Sequence, residues 1–265
     1  MIQIPLPTGP AGPGQQMPTL GLGTWQLRGA ACEQAVRTAL DLGYRHFDTA
    51  ERYGNEPEVG AAIAGSRVDR SEVFVTTKVS QDHFRAADMR RAADDSLRRL
   101  GMDYVDLYLL HWPNNAVPLA ETVGALNEVA AEGKARAIGV SNFSVSLMRE
   151  AAALSAAPIA CNQVEYHVLR PQQGLVEHAR AAGVAITAYS PLEKGRLAGH
   201  PVLARIGAKY GKSASQVALR WLVQQHGVAA IPKATREPNL RANFEIFDFS
   251  LDGGDLREVA MLAGT

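Results

Sequence analysis

EVFVTTKVSQDHFRAADMRRAADDSLRRLGMDYVDLYLLHW, residues 72–112, reads as a strand, a helix and a second strand. The runs VFVTT and LYLL are apolar on both faces, as strands of a parallel sheet covered by helices must be. Between them Met89, Ala92, Ala93, Leu97 and Leu100 fall on one face of a helix, and Gly101 stops it. A strand, crossover helix and strand of this length make the two strands parallel neighbours. Each strand ends on a polar residue, Lys78 in the first and His111 in the second.

The same unit repeats outward in both directions. TLGLGTW, YRHFDT, EVFVTTK, YVDLYLLHW, ARAIGVSN, PIACNQVEY, GVAITAYS and GVAAIPK are eight short β-rich runs bounded by turn residues. Helical patterns lie between them; in the first, Cys32, Ala35, Val36, Ala39 and Leu40 share a face and Gly43 stops it. A doubly wound sheet is the rival arrangement. The count of eight, and the polar residues finishing every strand after the first, favour an α/β fold of the (β/α)8 barrel type, which builds its site at the C-terminal strand ends. Those residues are Asp48, Lys78, His111, Ser141 with Asn142, Gln163 with Glu165, Tyr189 with Ser190, and Lys233. No linker or composition shift interrupts Pro18 to Leu262, so residues 1–265 are expected to form a single domain. The Pro- and Gly-rich stretch from Ile4 to Pro18 is expected to be a loop or short hairpin capping one barrel end.

Lys plus Arg and Asp plus Glu each number 27, so no net field draws nucleic acid or an anionic membrane, and a small molecule is the expected partner of a monomer. There is no basic apolar leader and no run of 18 apolar residues, so a cytoplasmic location is expected. Cys32 and Cys161 are too few for a disulfide framework and read as packed thiols.

Several motifs fail. Gln26 stands where a dinucleotide fingerprint beginning at Gly21 needs its third glycine, and GAKYGKS at 207–213 is one residue short of a P-loop. That second stretch is better read as a helix end at Gly211 followed by a capping box of Ser213 and Gln216. There is no nucleophile elbow. Cys161, Glu165 and His167 lack metal-ligand spacing, so no metal is expected.

Asp48, Tyr53, Lys78 and His111 belong to three neighbouring strands and one loop, and their types make an acid-catalysis device. A phenol is a poor donor at neutral pH unless its surroundings lower its pKa, and a nearby ammonium would do so. Asp48 would keep Lys78 charged, the pair would favour the phenolate form of Tyr53, and a neutral His111 would donate N–H to a carbonyl oxygen.

These residues lie within a series of motifs that resembles the aldo-keto reductase superfamily from Gly21 to about Leu251. The series is GLGTW at 21–25, GYRHFDTAERYGNE at 43–56, the strand ending at Lys78, LYLLHWP at 107–113, GVSNF at 139–143, NQVEYH at 162–167, AYSPL at 188–192 and IPK at 231–233, in that order. The resemblance implies hydride transfer from NAD(P)H to an aldehyde or ketone, without a metal. Tyr53 would be the general acid, Asp48 and Lys78 would tune it, and His111 would orient the carbonyl.

The resemblance further implies a nicotinamide site. Tyr189 would stack on the ring, and Ser141, Asn142 and Gln163 would bond the carboxamide, with Gly23 and Thr24 beside them. Ser190, Pro191 and Leu192 would meet the pyrophosphate. Lys233, Ala234, Thr235, Arg236, Asn239 and Asn243 would meet the adenosine end. Here the chain departs from the family: Ala234, Asn239 and Ala242 replace the usual serine, arginine and glutamate. Arg236 and Thr235 would then replace missing phosphate contacts, so NADPH is expected and NADH is possible. Trp25 and Trp112 would wall the substrate pocket, leaving small aldehydes, 2-oxo aldehydes and sugar-derived ketones open. Two other readings compete: a cofactor-binding regulatory or sensor barrel with little turnover, and a Schiff-base enzyme using Lys78 or Lys233.

Overall fold

The computed structural model describes residues 2–7 and 14–262. The chain opens with a hairpin, β1 (Gln3–Pro5) pairing antiparallel with β2 (Gln16–Pro18). The expected hairpin is there, although residues 8–13 of that segment lie outside the described residues. Eight strands follow: β3 (Leu22–Gly23), β4 (His46–Asp48), β5 (Phe74–Val79), β6 (Val105–Leu110), β7 (Ala135–Ser141), β8 (Ile159–Glu165), β9 (Ala185–Tyr189) and β10 (Val228–Ala230). Each pairs parallel with the next in chain order.

The helices between them are α1 (Gly29–Leu42), α2 (Glu56–Ala64), α3 (Ala86–Leu100), α4 (Leu119–Ala131), α5 (Val145–Leu154), α6 (Gln173–Ala181), α7 (Pro201–Tyr210) and α8 (Ala214–Val223), with α9 (Glu237–Phe244) and α10 (Gly253–Ala260) after β10. Gly43, Gly101 and Gly211 end α1, α3 and α7 in the left-handed conformation, and Ser213 with Gln216 caps α8 reciprocally. In α1 the residues expected to share a face are all buried.

The first and last barrel strands are shorter than their seven-residue apolar runs, because the seam where the barrel closes is made mostly outside regular ladder pairing. Leu20 bridges Ala230 in parallel, Gly21 N–H donates to Ala230 O at 2.9 Å, and Gly23 N–H donates to Pro232 O at 3.2 Å. Backbones meet so closely that a Cβ at Gly23 would lie 2.6 Å from the Ile231 carbonyl oxygen. The fold is thus a closed (β/α)8 barrel.

Side-chain parity fixes what faces the axis, since alternate residues of a strand point to opposite faces. Phe74, Leu107, Leu109, Ala137, Cys161, Ala185 and Ala229 form an inner cluster with Ile4, Leu6 and Met17, so the hairpin is the floor of the barrel. Tyr108 and Leu110 belong instead to the outer cluster beneath the helices. Counting an even number of residues along each strand from the inner cluster leads to Lys78, His111, Ser141, Gln163 and Tyr189 at the opposite end. Among the described residues no helix is long and apolar enough to cross a membrane.

Candidate active site

At the C-terminal end of the barrel the Lys78 ammonium is fully buried and donates to Asp48 Oδ1 at 2.5 Å, Thr49 O at 2.8 Å and the Tyr53 hydroxyl at 3.4 Å. Gln163 reaches across the barrel and donates its Nε2–H to the other Asp48 oxygen at 2.7 Å. The His111 ring meets the Tyr53 ring edge to face, with centroids 5.6 Å apart. Asp48, Tyr53, Lys78 and His111 are therefore one contiguous group.

Its electrostatics differ from expectation in one respect. Burial pushes the Tyr53 phenol above its ordinary pKa; Lys78 opposes this and Asp48 adds to it. The expected shift towards the phenolate is overturned, because removing the ring from water outweighs one neighbouring ammonium that is itself neutralised by Asp48. Tyr53 is protonated at neutral pH. Burial alone would lower Lys78, but the Asp48 charge, with the hydrogen bonds to Asp48 and Tyr53, outweighs it and raises the ammonium's pKa, so it stays charged. Burial, Lys78 and Arg52 hold the His111 imidazole down to about 3, so the ring is neutral, as expected.

The loop carrying Tyr53 is held by residues that reading strand ends does not single out. A 3-10 turn, Glu51–Tyr53, follows β4. Glu51 accepts from the Ser80 N–H at 2.9 Å and contacts the His83 ring at 2.7 Å. Asn55, fully buried, accepts from the Thr49 hydroxyl and donates to the carbonyls of Thr24 and Leu27. Glu56, also buried, accepts from Thr77 and Arg99. The polar run ERYGNE was the available signal: so many polar residues beside a buried strand end need partners.

The next stretch of rim is one hydrogen-bonded chain. Tyr189 donates to Asn142 Oδ1 at 2.9 Å, and Asn142 Nδ2 donates to Ser141 Oγ at 3.0 Å and His111 O at 3.3 Å. Ser141 Oγ donates to Gln163 O at 2.8 Å. Asn142 adopts φ +63°, a left-handed conformation that asparagine tolerates better than most residues, and this turns its amide over the barrel mouth. Gln163 engages Asp48, so it joins the buried Asp48–Lys78 pair as much as this chain. Thr24 is fully buried with its hydroxyl on Asp48 O at 2.9 Å, and Gly23 sits in the closure seam; both hold β3 against its neighbours.

Beyond β9, Ser190 is half-buried at φ +49°, Pro191 is buried and Leu192 is half-buried. Past β10, Lys233, Thr235, Arg236 and Asn239 are exposed, while Ala234 and Asn243 are buried. Neither the Lys233 nor the Arg236 side chain has a hydrogen bond or ion pair among the described residues, and α9 begins just after Arg236 with no side-chain cap. The Tyr44 hydroxyl donates to Leu240 O at 2.9 Å and fixes α9 to the barrel. Trp25 and Trp112 are each nearly half exposed on the same rim. Glu165 does not join the group; it turns outward to Arg170 at 2.6 Å.

Comparison with known proteins agrees with this geometry. The profile described as the aldo/keto reductase family matches residues 19–263. An aldo-keto reductase of Mycolicibacterium smegmatis is 40% identical over 252 residues, covering 94% of this chain and 90% of that protein. The methylglyoxal reductase DkgB of Escherichia coli O157:H7 is 40% identical over 249 residues, covering 93% of each. A crystal structure described as a putative 2,5-diketo-D-gluconic acid reductase B superposes with a TM-score of 0.93 at 46% identity, covering 98% of this chain and 92% of that one.

Proposed function

We propose, from the premise that this chain belongs to the aldo/keto reductase family and is an oxidoreductase of carbonyl compounds, that it reduces small aldehydes and ketones to alcohols with NADPH and with Tyr53 as the proton donor. The observation carrying this reading is the contact of the Tyr53 hydroxyl with a fully buried Lys78 that is itself paired with Asp48.

The chain's residues fit a dinucleotide. The unpaired Lys233 and Arg236 lie beside the uncapped start of α9, where N–H groups and cations favour a phosphate. The Tyr189 ring, tethered by Asn142, offers a face for stacking near the barrel axis. Ser141, Asn142 and Gln163 would hold a carboxamide, Ser190, Pro191 and Leu192 would line the pyrophosphate, and Asn243 would meet the adenine. When bound, the reduced nicotinamide supplies a hydride to the carbonyl carbon.

What the chain itself does is orient and protonate. Neutral His111 donates N–H to the carbonyl oxygen and sets its position beside Tyr53. As the oxygen gains negative charge, Tyr53 passes its hydroxyl proton to it. The Lys78 ammonium, 3.4 Å away, stabilises the phenolate left behind, and Asp48 keeps that ammonium charged and in place. Trp25 and Trp112 wall the mouth. A monomer working in the cytoplasm completes the reading.

Tyr53→Phe removes the acid and keeps the ring. It should lower kcat by about a hundred-fold or more, the usual range of a general acid, while cofactor affinity stays within a few-fold. Turnover near wild type would reject the assignment; a substrate panel with binding of NADPH and no hydride transfer would favour the sensor reading. Arg236→Ala should weaken NADPH by about ten-fold and leave NADH little changed, read as dissociation constants by fluorescence titration. Equal losses for both would reject the phosphate role.

A further inference from the structure

The turn that carries Tyr53 holds a second charged side chain that the proposed chemistry does not use. A 3-10 turn has three residues per revolution, so Glu51, Arg52 and Tyr53 leave it in three directions. Glu51 points to Ser80 and His83, and Tyr53 points to Lys78. Arg52 takes the remaining direction and is exposed. It has no hydrogen bond, ion pair or ring contact among the described residues. Unlike Arg90, Arg170, Arg196 and Arg241, which pair with carboxylates, this guanidinium is left free, and it stands beside a buried site.

The charges within the buried group, and the turn's other charged side chain, are already compensated. Lys78 is paired with Asp48. The Glu51 carboxylate is occupied by the Ser80 N–H and the His83 ring, on the side of the turn facing β5. The guanidinium is also near enough to His111 to help keep that ring neutral. An uncompensated cation therefore stands at the mouth, next to the groups that would position a carbonyl, with Trp25 and Trp112 on the same rim.

We propose that Arg52 selects carbonyl substrates that also carry a carboxylate, holding that carboxylate while the carbonyl sits between Tyr53 and His111. The inference rests on the carbonyl-reductase reading above and narrows its substrate class. The planar guanidinium suits a carboxylate, which it can grip through two parallel hydrogen bonds. Because this contact lies away from the reacting carbon, it is the same before and during hydride transfer and acts mainly on KM.

The test compares 4-carboxybenzaldehyde with its methyl ester, which have the same reacting group and differ in charge. Rates at saturating NADPH give an acid-to-ester ratio of kcat/KM within each protein, so any general loss of activity in a variant cancels. The wild-type ratio should be about ten or more, the size of one charge-assisted hydrogen bond, and should sit in KM. It should fall towards one in Arg52→Gln, recover in part in Arg52→Lys, and shrink as salt is added. A wild-type ratio at or below one, or a ratio that survives in Arg52→Gln, overturns the proposal. Reduction of the ester alone leaves the reductase reading standing while removing this one. If neither aldehyde is reduced with NADPH or NADH, the reductase reading falls, and calorimetric titration of the acid and the ester decides the role of Arg52. Tighter binding of the acid, lost in Arg52→Gln, sustains it; equal binding ends it.

Discussion

Replacing Asp48 by Asn isolates the charge on which the proposed site depends, because the side chain keeps its shape and loses only its anion. In the wild type the Lys78 ammonium has no exposure, and its anionic partner, Asp48, lies 2.5 Å away. Removing one partner of a buried pair leaves an uncompensated charge, which costs about 3–5 kcal/mol. At roughly 2–4 °C per kcal/mol for a chain of this size, the melting temperature should fall by about 6–20 °C at neutral pH. The pH dependence has a definite sign. Burial lowers the Lys78 pKa, and without Asp48 that influence is no longer offset, so in the folded variant the lysine sheds its proton more readily than in the unfolded chain. The unfolded state then binds more protons, and stability rises with pH up to the ordinary lysine value. Thermal unfolding of wild type and Asp48→Asn at neutral and alkaline pH, followed by tryptophan fluorescence, measures both effects. A loss below about 1 kcal/mol, or a loss that does not shrink as pH rises, would refute the account of this pair.

Two further outcomes follow from the geometry. The His111 ring, held down to about 3, should show no protonation shift by NMR between pH 8 and 5. Since an unfolded histidine takes up its proton near pH ~6.5, stability should fall as pH drops from there towards 3, and this component should vanish in His111→Gln. Gly60→Ala should destabilise by about 1–3 kcal/mol in denaturant titrations without touching the site, because a methyl at Gly60 would run into the Leu100 carbonyl where α2 crosses α3.

Much of the site was legible because strands obey a period of two. Leu107, Leu109 and His111 alternate with Tyr108 and Leu110, so once the apolar pair faces the axis His111 must as well. The same parity places Lys78 and Gln163. What the pattern does not carry is contact across the barrel: Gln163 meets Asp48 115 residues away, a pairing that depends on closure and on which rotamer each side chain takes. The balance of burial against charge at Tyr53 was also illegible, since neither the ring's exposure nor the 3.4 Å to Lys78 is written in residue types. The short closure strands were misjudged in length for a related reason. Their apolar runs are continuous, but Gly21, Gly23 and Pro232 convert regular pairing into a close backbone seam.

That seam also orders events during synthesis. β3 gains its second neighbour only when residues near 230 have left the ribosome, so for nearly the whole of translation one side of the nascent sheet stays open. An open edge is a template for foreign strands, and the risk grows with its length and flatness. Here the waiting edge runs only from Leu20 to Gly23, and two of its four residues are glycine. A growing chain that must leave its first barrel strand half-paired thus exposes very little that another chain can extend.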